Sequence, residues 1–302
     1  RLACRYRGQM SDNTPSLDDL RRQIDEIDNS IHDLLMRRTE LARQIGRAKG
    51  QGAGFMRPGR EARVLRRLVA RHEGAFPKPV VTRIWREIIS VFTRLQGPFA
   101  AAAYAPEKGP DLAGLARDHF GCLTPITRFE SEMGVLRAVS GGKANIGVLP
   151  LPEADRGTPW WPKLARGGKA TPKIIAKLPF APLDGGRGDS PQAVVISLAE
   201  PEESGDDHGY LIVELDEAVS RGALKTLLSE AGFDVVDIQA WVDSPDRTLH
   251  LVEVGGFLPA DDARIAALLE EADSVKHAWS VGAFAVPLTA ADLAPAARAA
   301  VS

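Results

Sequence analysis

The sequence predicts a multidomain chain that joins an all-α N-terminal region to α/β and α+β regions. Three observations support this fold class. Apolar residues recur at helical spacing in residues 17–97, short apolar runs alternate with helical segments in residues 98–206, and residues 207–290 follow a βαββαβ order. A chain of 302 residues is long enough for two or three such domains.

Charge is distributed unevenly along the chain. Residues 17–97 carry 17 Lys and Arg against 10 Asp and Glu, whereas residues 98–302 carry 18 against 29. The two cysteines, Cys4 and Cys122, exclude a disulfide framework and indicate a reducing, cytoplasmic location. No apolar run approaches the roughly 20 residues of a membrane helix, so we expect no membrane partner.

The first helix is predicted from Leu17 to Lys49, with Ser16 as its N-cap. Its apolar residues form one stripe: Leu20, Ile24, Ile27, Ile31, Leu34, Leu41, Ile45 and Ala48. Arg38 occupies one position of this stripe. A guanidinium on the buried side of a helix is costly unless an anion meets it, so Arg38 predicts a site for an anionic ligand. A helix of about 50 Å needs an equally long partner, which favours self-association.

Two shorter helices are predicted over residues 58–72 and 79–97. The inward residues of the second helix are Val64, Leu65, Leu68 and Val69. Those of the third are Trp85, Ile88, Ile89 and Phe92, and Gln96 occupies the next slot. Three helices in succession therefore predict an all-α region that ends at residue 97.

The polar residues that these helices bring together are mostly cations. At about 100° per residue, Arg38 and Lys49 share a face of the first helix, and Arg21 lies about 100° away, where it can reach a packed second copy. Arg60 and Glu61 begin the second helix, where unpaired N–H groups favour anions. The set lacks a Ser–His–Asp arrangement, a metal-ligand cluster and a Gly-rich loop. It therefore fits a reaction assisted by charge placement, without metal or organic cofactor.

The helical region resembles the all-helical chorismate mutases. The similarity rests on three runs, LRRQIDEIDNSIHDLLMRRTELARQIGRAK, RPGREARVLRRL and VTRIWREIISVFTRLQG. It implies a mutase domain over residues 11–97 that forms an intertwined homodimer. It also implies conversion of chorismate to prephenate, a pericyclic rearrangement at the branch toward phenylalanine and tyrosine.

The resemblance assigns a role to each matching residue. Arg21 is lent across the dimer interface and binds a substrate carboxylate, while Arg38 holds a carboxylate from within the subunit. Lys49 and Gln96 donate to the ether oxygen whose bond breaks. The resemblance thus implies Arg38, Lys49 and Gln96 as the catalytic residues.

The start of the second helix and the end of the third complete the implied substrate site. Arg60 adds positive field, and Glu61 accepts a hydrogen bond from the ring hydroxyl. Two positions depart from the family pattern, because Arg57 stands where the family has Asp and Phe92 where it has Ser. We expect these departures to weaken substrate affinity rather than to abolish activity.

Residues 98–206 resemble an incomplete first lobe of prephenate dehydratase. Residues 98–110 read as a linker that passes into a short strand, and LAGLARDHFG reads as a helix. MGVLRAVSGGKANIGVLPLPEA reads as helix, turn and strand, and KIIAKLPFAP and QAVVISLAEP read as strands. Residues 127–129 (Thr-Arg-Phe) match the dehydratase's catalytic triplet, but they precede the lobe's closing strand instead of following a second lobe. We therefore expect no dehydratase activity. Residues 185–191 and 200–209 are predicted to be flexible from their composition.

Residues 207–290 resemble an ACT domain, a small regulatory module that binds amino acids. Their βαββαβ order predicts an antiparallel sheet with two helices on one face. Residues 222–224 match the Gly-Ala-Leu motif of that family, but residues 240–243 replace the Glu-Ser-Arg-Pro motif of its phenylalanine-binding members. An amino-acid effector and a purely structural, dimerising role are both open for this module.

Two other functions compete with a mutase as explanations of the helical region. A non-catalytic metabolite sensor is supported by Arg57 and Phe92 and opposed by the intact Arg38, Lys49 and Gln96. Nucleic-acid binding needs basic residues along an exposed helix face, whereas Arg38 lies in the apolar stripe, so no nucleic-acid partner is expected. A single Arg on a helix is more often a solvated surface residue, and a long apolar stripe more often a coiled-coil element. Only the combination of the apolar stripe with charged residues at the matching motif positions favours catalysis.

Overall fold

A computed structural model describes residues 15–49, 56–152, 159–168, 170–182, 191–215, 219–244 and 247–295. The chain begins with three helices, α1 (Leu17–Lys49), α2 (Pro58–Ala70) and α3 (Lys78–Gln96). A mixed α/β region follows, which confirms the predicted fold class. The chain divides into two compact units, Arg1–Gly50 and Gln51–Ser302.

Helix α1 has the bounds and the N-cap that its sequence predicts. The Ser16 Oγ accepts a hydrogen bond from the Asp19 backbone N–H at 3.1 Å and donates to the Asp19 carboxylate at 2.7 Å. The helix exposes large apolar side chains along its length: Leu17, Leu20, Ile24, Ile27, Ile31, Leu34, Met36, Leu41 and Ile45. An exposed apolar face of this size is a typical partner-binding surface.

The remaining strands and helices follow in chain order, with a 3₁₀ helix at Trp161–Arg166. The strands are β1 (Ala101–Tyr104), β2 (Ile126–Phe129), β3 (Ile146–Pro150), β4 (Lys173–Leu178), β5 (Ala193–Ser197), β6 (Asp207–Leu215), β7 (Asp234–Ser244), β8 (Arg247–Gly255) and β9 (Val275–Ala285). The helices are α4 (Leu112–Phe120), α5 (Glu132–Ser140), α6 (Arg221–Glu230), α7 (Ala263–Glu271) and α8 (Ala290–Leu293). The predicted order of elements is confirmed, while β2, the 3₁₀ helix and α8 were not predicted.

All nine described strands form one sheet in the order β2-β1-β3-β5-β4-β9-β6-β8-β7. The junction of its two halves is the parallel pairing of β4 with β9, where Ile174 lies opposite Gly282. Gly282 has a φ of 140°, and a Cβ there would overlap the Ile174 backbone, so this close approach requires glycine. The sheet thus continues from the dehydratase-like segment into the ACT-like segment, and the domain boundary at residue 206 stays a prediction.

Strands β6 to β9 form the predicted antiparallel sheet of the βαββαβ module. Leu224 of α6 and Ile265 of α7 pack in one cluster with Leu211 and Val252, so both helices cover the same face. The opposite face packs against Trp161 and α5 in a second cluster. None of the helices in the described ranges is long and apolar enough to cross a membrane.

The buried face of helix α3 overlaps only in part with the predicted one. Phe92 is buried as expected, but Trp85, Ile88 and Ile89 are only half-buried. The other buried side chains of α3 are Thr82, Arg86 and Thr93. The predicted stripe was right for Phe92 and for Trp85, which packs against a buried cluster, but α4 also covers the side of the polar residues, which sequence periodicity treats as solvent-facing.

Candidate active site

The predicted site residues belong to both units. Arg21, Arg38 and Lys49 lie on α1, in the first unit. Arg21 Nη1 lies 3.2 Å from Asp18 Oδ1, Arg38 is exposed, and the Lys49 side chain lies outside the described part of the chain. The other five residues belong to the second unit: Arg57, Arg60, Glu61, Phe92 and Gln96.

The first turn of α2 presents backbone N–H groups and two arginines. Arg57 occupies the N-cap position, and its side chain does not cap the helix within the described structure. The Glu202 carboxylate binds there instead, since it pairs with the Arg57 guanidinium and accepts a hydrogen bond from the Arg60 backbone N–H at 3.1 Å. The start of α2 therefore holds an anionic side chain of the same protein, while its predicted role in binding an anionic substrate stays a prediction.

Glu61 forms a buried ion pair with Arg86 of α3. Arg86 Nη1 donates to Glu61 Oε2 at 2.9 Å, and the two side chains are 9% and 14% exposed. The Arg86 guanidinium also lies over the Phe180 ring at 5.2 Å. Burial raises the pKa of Glu61 and lowers that of Arg86, while their mutual attraction opposes both pKa shifts. The pair fixes the carboxylate to which the resemblance assigns substrate recognition.

The end of α3 holds the other two predicted residues of this unit. Gln96 Nε2 donates to the Phe92 backbone carbonyl at 2.9 Å, which fixes the amide along the helix. A carboxamide has two N–H donors, and this hydrogen bond uses one of them. Phe92 is 7% exposed and belongs to the interior, where its ring offers no hydrogen bond to a carboxylate.

A cavity of about 340 Å³ lies beside the Glu61–Arg86 pair, between α3, α4 and residues 179–182. Arg83, Arg86, Asp118, His119 and Phe180 are among the lining residues. Arg83 Nη2 lies 3.3 Å from Asp118 Oδ1, and Arg86 pairs with Glu61. Because both arginines already have carboxylate partners, the cavity is electrostatically balanced.

His119 is a titratable group of this cavity whose pKa is shifted by its surroundings. Burial, followed by the nearby charge of Arg86, holds its pKa well below the usual 6.5. The ring is thus neutral in the native protein. The unfolded chain takes up this proton below about pH 6.5, so the native state loses stability as pH falls through that value.

We expect His119→Gln to flatten the acid side of the stability profile. The native free energy of unfolding should fall below pH 6.5 by at most about 1.4 kcal/mol per pH unit on account of His119, and the variant should lose this slope. Urea unfolding at pH 7.5, 6.5 and 5.5 measures it, with His32→Gln as a control because that ring is exposed. Equal slopes in His119→Gln and the unmodified protein would contradict the assignment.

Two residues of this region were not found from the sequence. Arg86 was overlooked although Thr82, Arg86 and Thr93 repeat at helical spacing, which could have revealed a polar buried face. Glu202 was assigned to a flexible segment. That expectation was wrong, because Ser204 and Asp207 are buried and hydrogen-bonded to each other at 2.6 Å.

Comparison with known proteins identifies the helical region. Residues 20–97 match the family model of chorismate mutase type II. The chain therefore carries a chorismate mutase type II domain, as its sequence motifs predict. This mutase domain comprises α2, α3 and all but the first turn of α1.

Curated relatives extend the similarity beyond the mutase domain. The bifunctional chorismate mutase/prephenate dehydratase of Pseudomonas aeruginosa is 33% identical over 144 residues, which are 46% of this chain and 39% of that protein. The intracellular chorismate mutase of Mycolicibacterium smegmatis is 41% identical over 59 residues, 19% of this chain and 57% of that protein. The chain thus spans about two fifths of the length of the bifunctional relative.

Solved structures are similar only at low identity. The prephenate dehydratase of Arthrobacter aurescens in complex with L-Phe is 16% identical, with a TM-score of 0.45 over 67% of this chain and 94% of that chain. A prephenate dehydratase from Streptococcus mutans is 16% identical, with a TM-score of 0.44 over 63% of this chain and all of the other.

Proposed function

We propose that the protein is a chorismate mutase that converts chorismate to prephenate in aromatic amino acid biosynthesis. The match of residues 20–97 to the mutase family carries this proposal. The motif positions of that family hold suitable residues here: Arg21, Arg38, Lys49, Arg60, Glu61 and Gln96. Their chemistry needs no metal or organic cofactor, since a Claisen rearrangement forms and breaks its bonds within one substrate.

Charge placement explains how these residues accelerate the rearrangement. Arg21 and Arg38 bind the two substrate carboxylates and hold the reacting carbons in contact. Negative charge develops on the ether oxygen as its bond breaks, and Lys49 together with the second N–H of Gln96 stabilises it. The excess of Lys and Arg in residues 17–97 raises the local concentration of a dianionic substrate.

The active unit in this proposal is a cytoplasmic homodimer whose α1 helices pack together. The exposed apolar residues of α1 supply the interface, and Arg21 acts in the partner's site. We propose that the ACT-like segment takes an amino-acid effector and that the dehydratase-like segment is inactive. The Thr-Arg-Phe triplet lies on β2, before the lobe's closing strand β3, and its Arg128 already pairs with Asp111 at 2.7 Å, which supports the latter proposal.

Mixing two inactive variants tests both the activity and the shared site. We expect Arg21→Ala and Lys49→Ala to be inactive alone, and their mixture to regain about a quarter of the original sites, because each mixed dimer has one site with both residues intact. Prephenate formation after subunit exchange measures the rescue. No rescue, despite exchange confirmed with differently tagged subunits, would contradict the lending of Arg21.

One alternative to the mutase, a non-catalytic sensor, is supported by specific observations. A non-catalytic metabolite sensor is favoured by the pairing of Arg57 with Glu202 and by the burial of Phe92, because both positions depart from the mutase pattern. Such a sensor would bind chorismate without consuming it. Binding and turnover measured on the same sample separate the two functions.

A further inference from the structure

The Glu202 carboxylate is bound on three sides at the start of α2. One oxygen, Oε1, pairs with the Arg57 guanidinium and lies 3.7 Å from Arg63 Nη2. The other oxygen, Oε2, accepts the Arg60 backbone N–H at 3.1 Å. The Glu202 side chain is only 23% exposed, so it is held against the helix and shielded from solvent.

The fold fixes the segment that carries this carboxylate. Arg66 of α2 donates to Ser204 Oγ at 2.9 Å and to the backbone carbonyls of Asp206 and Val286, each at 2.7 Å. A Cβ on Gly59 would overlap the carbonyl oxygens of Glu202 and its neighbour, so the segment lies directly against α2. These contacts join α2 to the start of β6 and the end of β9.

We infer that Glu202 is an autoinhibitory carboxylate, which competes with the anionic substrate for the positive charge at the start of α2. This inference rests on the proposed function, in which Arg60 supplies positive field to a dianionic substrate. A carboxylate already bound to Arg57 and to the helix N-terminus neutralises much of that field and repels a second anion. Chorismate therefore binds more weakly while residues 202–206 hold this carboxylate against α2.

The position of this segment also couples the mutase domain to the βαββαβ module. Residues 202–206 lead directly into β6, and the Asp207 carboxylate accepts hydrogen bonds from the Ser204 backbone N–H at 2.8 Å and from the Ser204 hydroxyl at 2.6 Å. A shift at this end of β6 moves Glu202 with it. An effector that binds the module and shifts β6 would therefore change the position of Glu202 at the start of α2, through the connecting chain and the Ser204–Asp207 hydrogen bonds.

Glu202→Gln tests the competition, because it removes the charge and keeps the shape. We expect KM for chorismate to fall about fivefold with kcat unchanged, since the lost contact resembles a favourable partly exposed ion pair. Glu203→Gln is the matched control, as the adjacent carboxylate is exposed, and its KM should not change. Glu202→Asp, which retracts the carboxylate by one methylene, should give an intermediate KM. An unchanged or raised KM in Glu202→Gln would overturn the inference.

Malonate binding separates failure of this inference from failure of the proposed function. Malonate, a small dicarboxylate, should raise the melting temperature of Glu202→Gln more than that of the unmodified protein or of Glu203→Gln. This readout does not depend on turnover. If malonate stabilises Glu202→Gln more than the controls but no protein consumes chorismate, the mutase proposal is refuted and the competition between Glu202 and anions stands. If malonate stabilises all three proteins equally and turnover is normal, only the competition is refuted.

Discussion

Replacement of Arg38 by alanine is expected to reduce kcat/KM for chorismate by roughly 10²- to 10³-fold, the usual loss when one preorganised charge contact is removed. Arg38 is the cation that interrupts the apolar stripe of α1, and in the proposed site it holds a substrate carboxylate. Prephenate formation measures the loss, while circular dichroism reports whether the helices stay folded and sedimentation reports whether the proposed dimer is retained.

Arg37→Ala is the matched control for this experiment. Arg37 is an exposed residue of the same helix, one position away, so it points about 100° from Arg38. We expect its kcat/KM to stay within about twofold of the original. Near-normal turnover in Arg38→Ala, or an equal loss in both variants, would contradict the site assignment.

Arg86→Met is expected to lower the free energy of unfolding by about 3–5 kcal/mol, because it leaves the Glu61 carboxylate buried without its partner. Methionine preserves most of the apolar stem that packs near Phe180, so the effect reports mainly the lost charge. The double variant with Glu61→Leu should regain most of the stability, since neither charge is then buried. Urea denaturation of the three proteins measures both effects.

The control for the buried pair is Arg83→Met on the same helix. Arg83 and Asp118 are 55% and 51% exposed, and such surface ion pairs contribute at most about 1 kcal/mol. A loss in Arg86→Met no larger than that in Arg83→Met would show that the Glu61–Arg86 pair is not important for stability.

Local patterns predicted the helical region and the βαββαβ module well. The bounds of α1 follow from its apolar period and from the Ser16 cap. Both signals are local, because each involves residues only a few positions apart in the sequence. Each strand of the module is likewise marked by its own apolar run and the turn residues around it. Strand β2 was missed because two of its four residues are exposed and its neighbours decide its conformation.

The contacts that the sequence did not reveal join distant parts of the chain. Arg86 meets Glu61 across 25 positions, and Arg66 meets Ser204 across 138. An arginine in an amphipathic helix is ordinarily a surface residue, so only the packed structure identifies a buried one. The same holds for the pairing of β4 with β9, because no turn or local motif determines which strands become neighbours.

The prediction of the proposed site relied more on the family's motif positions than on the physical properties of the individual residues. Periodicity alone identified Arg38 as unusual, but Gln96 at a helix end and Lys49 beside a glycine-rich stretch are ordinary residues without that pattern. Burial of Phe92 and the internal pairing of Arg57 lie at the two positions where the sequence departs from the family. These two positions are therefore the first to revert if substrate affinity is low.

The most direct test of the central claim is consumption of chorismate by the purified protein, with prephenate and phenylpyruvate followed together. We expect prephenate to accumulate without phenylpyruvate, as a mutase with an inactive dehydratase-like segment requires. Phenylpyruvate formation would contradict the inactive segment. Bound but unconsumed chorismate at every substrate concentration would contradict the mutase and favour the sensor.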